Sequence, residues 1–311
     1  MRILVTGGAG FIGSHLVDKL IEKCHQTFVV DNLSTGKKEN LNPEAEFIQS
    51  DITDSSKIEK IFENKKPEIV YHLAAQIDVR RSVNDPIFDT KTNILGSLNL
   101  INISVKHNVK KFIFSSSGGA AYCDVSEIPT SENCKEIPIS PYGIAKLTVD
   151  NFLYYYHTIH GLNYISLRYG NVYGPRQNQH GEAGVIGIFI NKMLKNEQTI
   201  INGDGRQTRD YIFVNDVVEA NIIALEYLKK IGVFNVGTAT EKDLNNIFSE
   251  LNKNFSNKFT MQYGPAKLGE HRRSCLNYSK IKSEFGWEPR MNFSEGIKLT
   301  INWFKNNYKI L

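Results

Sequence analysis

The first half of the chain alternates short β-branched runs with longer amphipathic stretches. Strands are predicted at 2–6, 27–31, 46–49, 69–73, 112–115 and 163–168, and helical periodicity is clearest over 11–23 and 93–107. Alternation of this kind reads as βαβ units, hence a parallel sheet covered by helices on both faces. The runs Ile69-Val70-Tyr71-His72-Leu73 and Phe112-Ile113-Phe114 are continuously apolar but for His72, as suits strands buried on both sides. Beyond about residue 172 the rhythm changes. Segments rich in Gly, Asn and Gln at 173–184 and 202–208 interrupt shorter helices, and 232–237 reads as one more strand returning to the sheet. The pattern therefore predicts an α/β fold with a doubly wound parallel sheet. A smaller C-terminal region should close over the sheet's carboxyl edge, where open α/β sheets bind ligands.

Composition narrows the classes. The 311 residues are 41% hydrophobic and 23% charged, ordinary for a globular protein. No apolar run approaches the ~18 residues of a membrane span, and the apolar start before Gly7 is too short for a secretory signal. The expectation is a cytoplasmic protein with no membrane partner. The net charge of +4 is mild, with Lys and Arg scattered, so nucleic acid is not expected either. Cys24, Cys123, Cys134 and Cys275 form no CxxC pair and read as reduced thiols. His157 and His160 have ligand spacing but no third ligand nearby; they read as a helix end, and no metal is expected.

The segment Gly7-Gly8-Ala9-Gly10-Phe11-Ile12-Gly13 follows the first strand and opens a helix. Glycines at 7, 10 and 13 suit a tight turn, close backbone approach to a pyrophosphate and close helix–sheet packing. Phe11 and Ile12 then lie at the helix start, beside the phosphates. Asp31 ends the second strand 18 positions past Gly13, close to the spacing of a ribose-binding acid. Its carboxylate would accept from adenosine ribose hydroxyls and repel a 2′-phosphate, which favours NAD over NADP.

Tyr142-Gly143-Ile144-Ala145-Lys146 places a phenol and an ammonium at i and i+4, one turn apart on a helix that Ser140-Pro141 can start. A free phenol ionises near pKa ~10 and is a poor base at neutral pH. A fixed cation nearby, with the positive nicotinamide of NAD, stabilises the phenolate. Ser115-Ser116-Ser117 ends a strand at the carboxyl edge, where a serine can bond the same substrate oxygen.

These motifs, together with Asp31-Asn32-Leu33-Ser34-Thr35-Gly36, His72-Leu73-Ala74-Ala75-Gln76 and Leu167-Arg168-Tyr169-Gly170-Asn171-Val172-Tyr173-Gly174-Pro175-Arg176, resemble the extended short-chain dehydrogenase/reductases, specifically the UDP-glucose 4-epimerase group. The resemblance runs from residue 1 to about residue 290. It implies a Rossmann NAD-binding domain at 1–171, with a returning segment near 210–237, and a mainly UDP-sugar-binding domain at 172–311. It implies Ser117, Tyr142 and Lys146 as catalytic residues. Ser117 has the family's 25-residue spacing to Tyr142, and Ser116 stays open as the alternative. On the cofactor side the resemblance adds Asn32, with Asp51 and Ile52 at the adenine, Ala74 and Ala75 at the pyrophosphate and nicotinamide ribose, and Asn93 near the nicotinamide.

For the substrate it implies Asn171 on the diphosphate or sugar, Gln207 and Arg209 in a loop meeting the UDP, and Arg209 on a phosphate, which its planar fork suits. Lys267, Glu270 and Ser274 belong to a later segment that closes on the UDP, with Lys267 in place of a usual arginine. Ser274 stands where glucose/galactose-specific members often carry tyrosine, and Gly170 replaces a larger residue. Both are expected to widen the pocket for a 2-acetamido group. The function implied is NAD-dependent C4 epimerisation of a UDP-hexose, by way of a 4-keto intermediate. A 4,6-dehydratase or decarboxylase on the same fold is the alternative, but Gly118-Gly119-Ala120-Ala121 supplies no carboxylate for elimination. A non-enzymatic dinucleotide sensor would not need the Tyr–Lys pair. The family is often dimeric through the helix bearing Tyr142 and the helix near 93–107, so a homodimer is expected.

Overall fold

A computed structural model describes residues 1–122, 127–178, 184–266 and 272–307. Seven strands, β1 (Arg2–Thr6), β2 (Gln26–Asp31), β3 (Glu46–Gln49), β4 (Ile69–His72), β5 (Lys111–Ser117), β6 (Tyr164–Tyr169) and later β10 (Gly232–Val236), make one sheet of order β10-β6-β5-β4-β1-β2-β3. Every pairing in it is parallel. The order reverses between β1 and β4, which opens a crevice at their carboxyl ends. The central strand β4 is buried along its whole length, which accounts for its apolar run. The returning strand falls beside β6, as the pattern at 232–237 predicts.

Two helical layers cover the sheet. On one face α1 (Phe11–Glu22) presents Leu16, Val17 and Leu20 to the same core as Val217, Val218 and Ile222 of α9 (Val214–Glu226). On the other, α2 (Ser55–Lys65), α5 (Gly96–Lys106) and α7 (Pro141–His160) contribute Ile58 and Phe62, Leu100 and Ile101, and Val149 and Leu153. Helix α7 begins as read: the Ser140 hydroxyl accepts from Gly143 N–H at 3.1 Å, Pro141 opens the first turn, and Gly161 ends it at φ +72°.

The stretch before α5 departs from the expectation of a helix starting at Asn93. Helical backbone begins upstream, with α3 (Val79–Asn84) and α4 (Pro86–Thr90), and runs through a π-helical turn at Lys91–Leu95 into α5. Asp85 caps α4, its carboxylate accepting from Phe88 N–H at 3.0 Å. The one-residue widening at a π turn is common at functional sites, and it places Asn93 in the interior.

A third core lies beyond the sheet. It gathers Tyr173 of β7 (Asn171–Tyr173), Tyr211 and Phe213 of β9 (Thr208–Phe213), Phe189 and Ile190 of α8 (Val185–Leu194), Ile247 and Phe248 of α10 (Leu244–Lys253), and Ile297 and Ile301 of α12 (Phe293–Asn307). Strand β9 pairs with β7 on one side and with β11 (Glu241–Asp243) on the other, and β8 (Ile200–Asn202) pairs with β12 (Gln262–Gly264). No helix among the described residues is long and apolar enough to cross a membrane.

Candidate active site at the carboxyl edge of the sheet

The glycine turn lies at the crevice between β1 and β4. Gly7 has φ +73°, and a Cβ there would lie 2.6 Å from Ala74 N. A Cβ on Gly13 would lie 2.2 Å from Gly7 O, so the start of α1 packs directly on the turn. Gly10 is the N-cap, and no side chain caps the helix, which leaves its first N–H groups to an external anion. Phe11 and Ile12 form the first turn and are half-buried. These features fit a dinucleotide's pyrophosphate: the approach is open where side chains would block it, and the donors are uncapped.

Around the turn, Asp31 accepts from Ala9 N–H (3.1 Å) and Leu33 N–H (2.8 Å). Burial raises its pKa, and those two bonds oppose the rise. Asn32 donates to Asp51 Oδ2 at 2.8 Å, and Asp51 also accepts from Thr53 N–H at 2.9 Å. Burial would push the Asp51 pKa up, but the bonds from Thr53 and Asn32 outweigh it and the net shift is downward. Ile52 is buried, and the Ile52 carbonyl accepts from Asn99 at 2.7 Å. Ala74 and Ala75 follow β4, half-buried at the crevice.

Behind Ala74 runs a buried chain of hydrogen bonds. Ala74 N–H donates to Thr6 Oγ1 (3.3 Å), Thr6 pairs with His72 Nδ1 (2.8 Å), His72 Nε2 with Ser97 Oγ (2.8 Å), and Ser97 donates to Asn93 O (2.6 Å). Because Ser97 spends its proton on Asn93 O, the chain assigns the neutral Nε2–H tautomer to His72. Burial, assisted by the Lys146 charge, lowers its pKa to about 3. The Asn93 side chain clasps Gln76: Gln76 N–H donates to its Oδ1 at 2.8 Å, and its Nδ2 donates to Gln76 O at 2.9 Å.

Across the crevice, Tyr142 and Lys146 share one face of α7. Lys146 is buried; its Nζ lies 5.8 Å from the Tyr142 ring centroid and donates to Ser115 O at 2.7 Å. Burial lowers the Lys146 pKa to about 8, against the raising influence of Asp150 and Asp89. The Tyr142 phenol is raised to about 12 by burial and by Asp89, and a hydrogen bond with Ser117 works the other way. The two candidate serines have different surroundings. Ser117, the last residue of β5, meets Tyr142, while Ser116, on the face that α7 covers, is buried and donates to Asp150 Oδ2 at 3.2 Å. There Asp150 pairs with the buried Arg168 at 2.9 Å.

The later residues converge on the same edge. A Cβ on Gly119 would be 3.6 Å from Ser274 Oγ and 3.9 Å from Asn171 Oδ1, so both lie beside the segment that follows Ser117. Ser274 N–H donates to Thr208 O at 3.2 Å, and Leu276 N–H to Asp210 at 3.1 Å, which ties this stretch to β9. Arg209 on β9 is half-buried, donating to Thr208 O at 2.7 Å; Gln207 is buried, its Nε2 donating to Asn202 O at 3.1 Å. Arg272 pairs in a fork with Asp204, both bonds at 2.8 Å. Gly170 corrects an expectation: its Cβ would lie 2.8 Å from Asp210 O, so the missing side chain makes room for β9 and opens no sugar pocket. Lys267 and Glu270, like Cys123, lie outside the described residues.

Sequence reasoning gave no role to Asp89, Thr6, Ser97 or Gln76. A signal existed for Asp89, which precedes Asn93 by one helical turn. Nothing local marks Thr6 and Ser97, because His72 joins them only in the folded sheet.

A doubly wound sheet whose glycine turn and tyrosine–lysine helix face one crevice is the architecture of dinucleotide-dependent enzymes. The model of the NAD dependent epimerase/dehydratase family matches residues 3–237, and the chain belongs to that family. Among solved structures it is similar to the UDP-glucose 4-epimerase of Thermotoga maritima with UDP-glucose (49% identity, 99% of this chain and 100% of that one, TM-score 0.96). It is also similar to the Thermus thermophilus UDP-glucose 4-epimerase in complex with NAD (40%, 98% and 99%, TM-score 0.93). A third likeness is the UDP-N-acetylglucosamine 4-epimerase of Methanobrevibacter ruminantium in complex with UDP-N-acetylmuramic acid (36%, 98% and 98%, TM-score 0.93).

Proposed function

We propose that this protein is an NAD-dependent 4-epimerase of UDP-hexoses, accepting UDP-glucose and UDP-galactose and also their N-acetylated counterparts. The observation that carries the reading is the convergence of Ser117, Tyr142 and Lys146 on the crevice that holds the glycine turn. Gly7, Gly10, Gly13, Phe11 and Ile12 would hold the pyrophosphate, Asp31 and Asn32 the adenosine ribose, Asp51 and Ile52 the adenine. Ala74, Ala75 and Asn93 would line the nicotinamide half. Bound NAD supplies a reversible hydride acceptor for C4 and a positive ring near the phenol.

Tyr142 takes the O4 proton and later returns it. Ser117 donates to the same oxygen and so aligns it with the phenol. Lys146 lowers the cost of the phenolate by its charge, acting from a buried position where water screens it little. Asn171, Gln207 and Arg209, with Lys267 and Glu270, hold the UDP. Most of the binding energy then falls on that handle, which leaves the hexose free to present either face. Ser274, beside Gly119, leaves space for a 2-acetamido group.

Residues 1–171 with 210–237 thus serve the cofactor, and 172–311 mainly the sugar nucleotide. The helix α6 (Gly118–Ala121) carries no acid to drive elimination, which weighs against a 4,6-dehydratase or decarboxylase. Exposed Ile87 (80%), Leu95 (56%), Ile144 (49%) and Tyr155 (47%) lie on α4, the π turn and α7, and would pair in a homodimer. The free thiols of Cys24, Cys134 and Cys275 suit the cytoplasm. Incubation of the purified protein with UDP-galactose and with UDP-GalNAc, followed by chromatography, tests the proposal. Both C4 epimers are expected; a dehydrated 4-keto product would instead mark a lyase.

A further inference from the structure

Asp89 is buried on α4, fully shielded from solvent, and the scheme above makes no use of it. Its Oδ1 accepts from Gln76 Nε2 at 3.0 Å and from Asn93 Nδ2 at 2.9 Å. Its Oδ2 is buried with no hydrogen-bond partner among the described residues. Burial raises the Asp89 pKa, and the bonds from Gln76 and Asn93 together with the Lys146 charge oppose the rise, so its ionised form depends on nearby positive charge. Helix α4 packs against α7, and the Asp89 charge acts on both Tyr142 and Lys146.

Other charges around this pair are already committed. Asp150, the acid of α7, also supports the Lys146 charge but is shared with Arg168 of β6, and His72 of β4 is neutral. From α3, Arg81 stacks over Phe88 at 4.1 Å and is exposed, as is Arg80. Asp85 beside α4 and Lys91 of the π turn are exposed as well. Asp89 is therefore the buried acid left to balance the Lys146 ammonium from the α4 side.

We propose that Asp89 is a positioning residue that acts as a buried counter-charge, keeping Lys146 charged and Tyr142 protonated until further positive charge enters the site. A carboxylate here opposes a new anion on Tyr142 and supports the cation on Lys146. The phenolate then forms only when a bound cationic group offsets Asp89, so the base is unmasked in the loaded site. Through Oδ1 the same carboxylate holds Gln76 and Asn93 beside the crevice. The proposal rests on the reading of Tyr142 as the proton acceptor.

The test is Asp89→Asn, which keeps the shape and an amide oxygen to accept from Gln76 and Asn93 while removing the charge. The pH profile of kcat/KM for UDP-galactose is measured beside the wild type. Losing the charge lowers the pKa of both Tyr142 and Lys146, so both limbs should move to lower pH together. A unit charge several ångströms away in a protein interior is worth about one pH unit. A purely structural role would lower the height of the profile and leave its limbs in place.

Phenolate absorbance supplies a second readout, independent of turnover. The difference titration between Asp89→Asn and Asp89→Asn/Tyr142→Phe is compared with that between wild type and Tyr142→Phe. If Asp89→Asn does not fold, Asp89→Ser removes the same charge and leaves a hydroxyl. Unmoved limbs and an unmoved Tyr142 titration, or movement to higher pH, would overturn the proposal. Full turnover by Tyr142→Phe would instead defeat the reading of Tyr142 itself; loss of turnover there with unmoved limbs in Asp89→Asn defeats this inference alone.

Discussion

Replacing Gly13 by alanine should separate cofactor binding from folding. The new Cβ would stand 2.2 Å from Gly7 O and 2.9 Å from both Gly7 C and Gly8 Cα. All three are backbone atoms of the phosphate-binding turn, so the turn must move by roughly an ångström to reach ordinary contact. Overpacking of this kind costs about 1–3 kcal/mol. Alanine recovers about 1 kcal/mol of helix propensity over glycine, so the net loss of stability should be no more than about 2 kcal/mol. The displaced turn no longer matches the pyrophosphate, and the full cost falls on binding: about fivefold to 150-fold in NAD affinity. Titration calorimetry of NAD onto cofactor-free protein, with thermal unfolding of the same samples, reads both. Gly161→Ala is the control. Its φ is +72° but no atom lies within 4 Å of its Cβ, so it should lose about 1 kcal/mol of stability and no NAD affinity. Unchanged NAD affinity in Gly13→Ala, or an equal loss in Gly161→Ala, would refute the argument.

Three further outcomes are expected. Ser117→Ala should cut kcat about 10²-fold, whereas Ser116→Ala, which removes one bond to Asp150, should cost about 1 kcal/mol of stability and leave kcat nearly intact; steady-state kinetics and urea unfolding distinguish them. His72 stays neutral down to about pH 3 when folded, while its unfolded imidazole takes a proton near pH ~6.5. Stability is therefore lost as pH falls below that value, at up to about 1.4 kcal/mol per pH unit, and His72→Gln should unfold in urea with a shallower pH slope. Ser274→Tyr should cut kcat/KM for UDP-GalNAc at least about tenfold while sparing UDP-galactose, because the ring would fill the space beside Gly119; equal losses on both sugars would remove Ser274 from the specificity argument.

Much of the fold was legible because burial on both faces writes an apolar run into each central strand, as in Ile69-Val70-Tyr71. The start and end of α7 were legible too, through Ser140-Pro141 and the His157–His160 pair read as a helix end. The helix read at 93–107 is present, but its upstream start was missed because a π turn breaks the period that locates helices, where a side chain must reach the interior. Ser117 could be preferred to Ser116 by its spacing, but only the folded site shows that Ser117 meets Tyr142 at the strand end while Ser116 lies under α7 on Asp150. Gly170 misled because a small residue was taken as space for ligand, when the space belongs to the backbone of β9. The relay through Thr6, His72, Ser97 and Asn93 left no local mark, since its members come from separate elements and meet by sheet register.

The central claim is that Tyr142 moves the O4 proton of a UDP-hexose. The most direct test is turnover of UDP-galactose by wild type and Tyr142→Phe, each confirmed as folded and NAD-bound, with UDP-glucose quantified by chromatography. The account predicts formation of UDP-glucose by the wild type and a loss of at least about 10²-fold in kcat for the variant, with NAD still bound. UDP-glucose formed at the wild-type rate by Tyr142→Phe would contradict it.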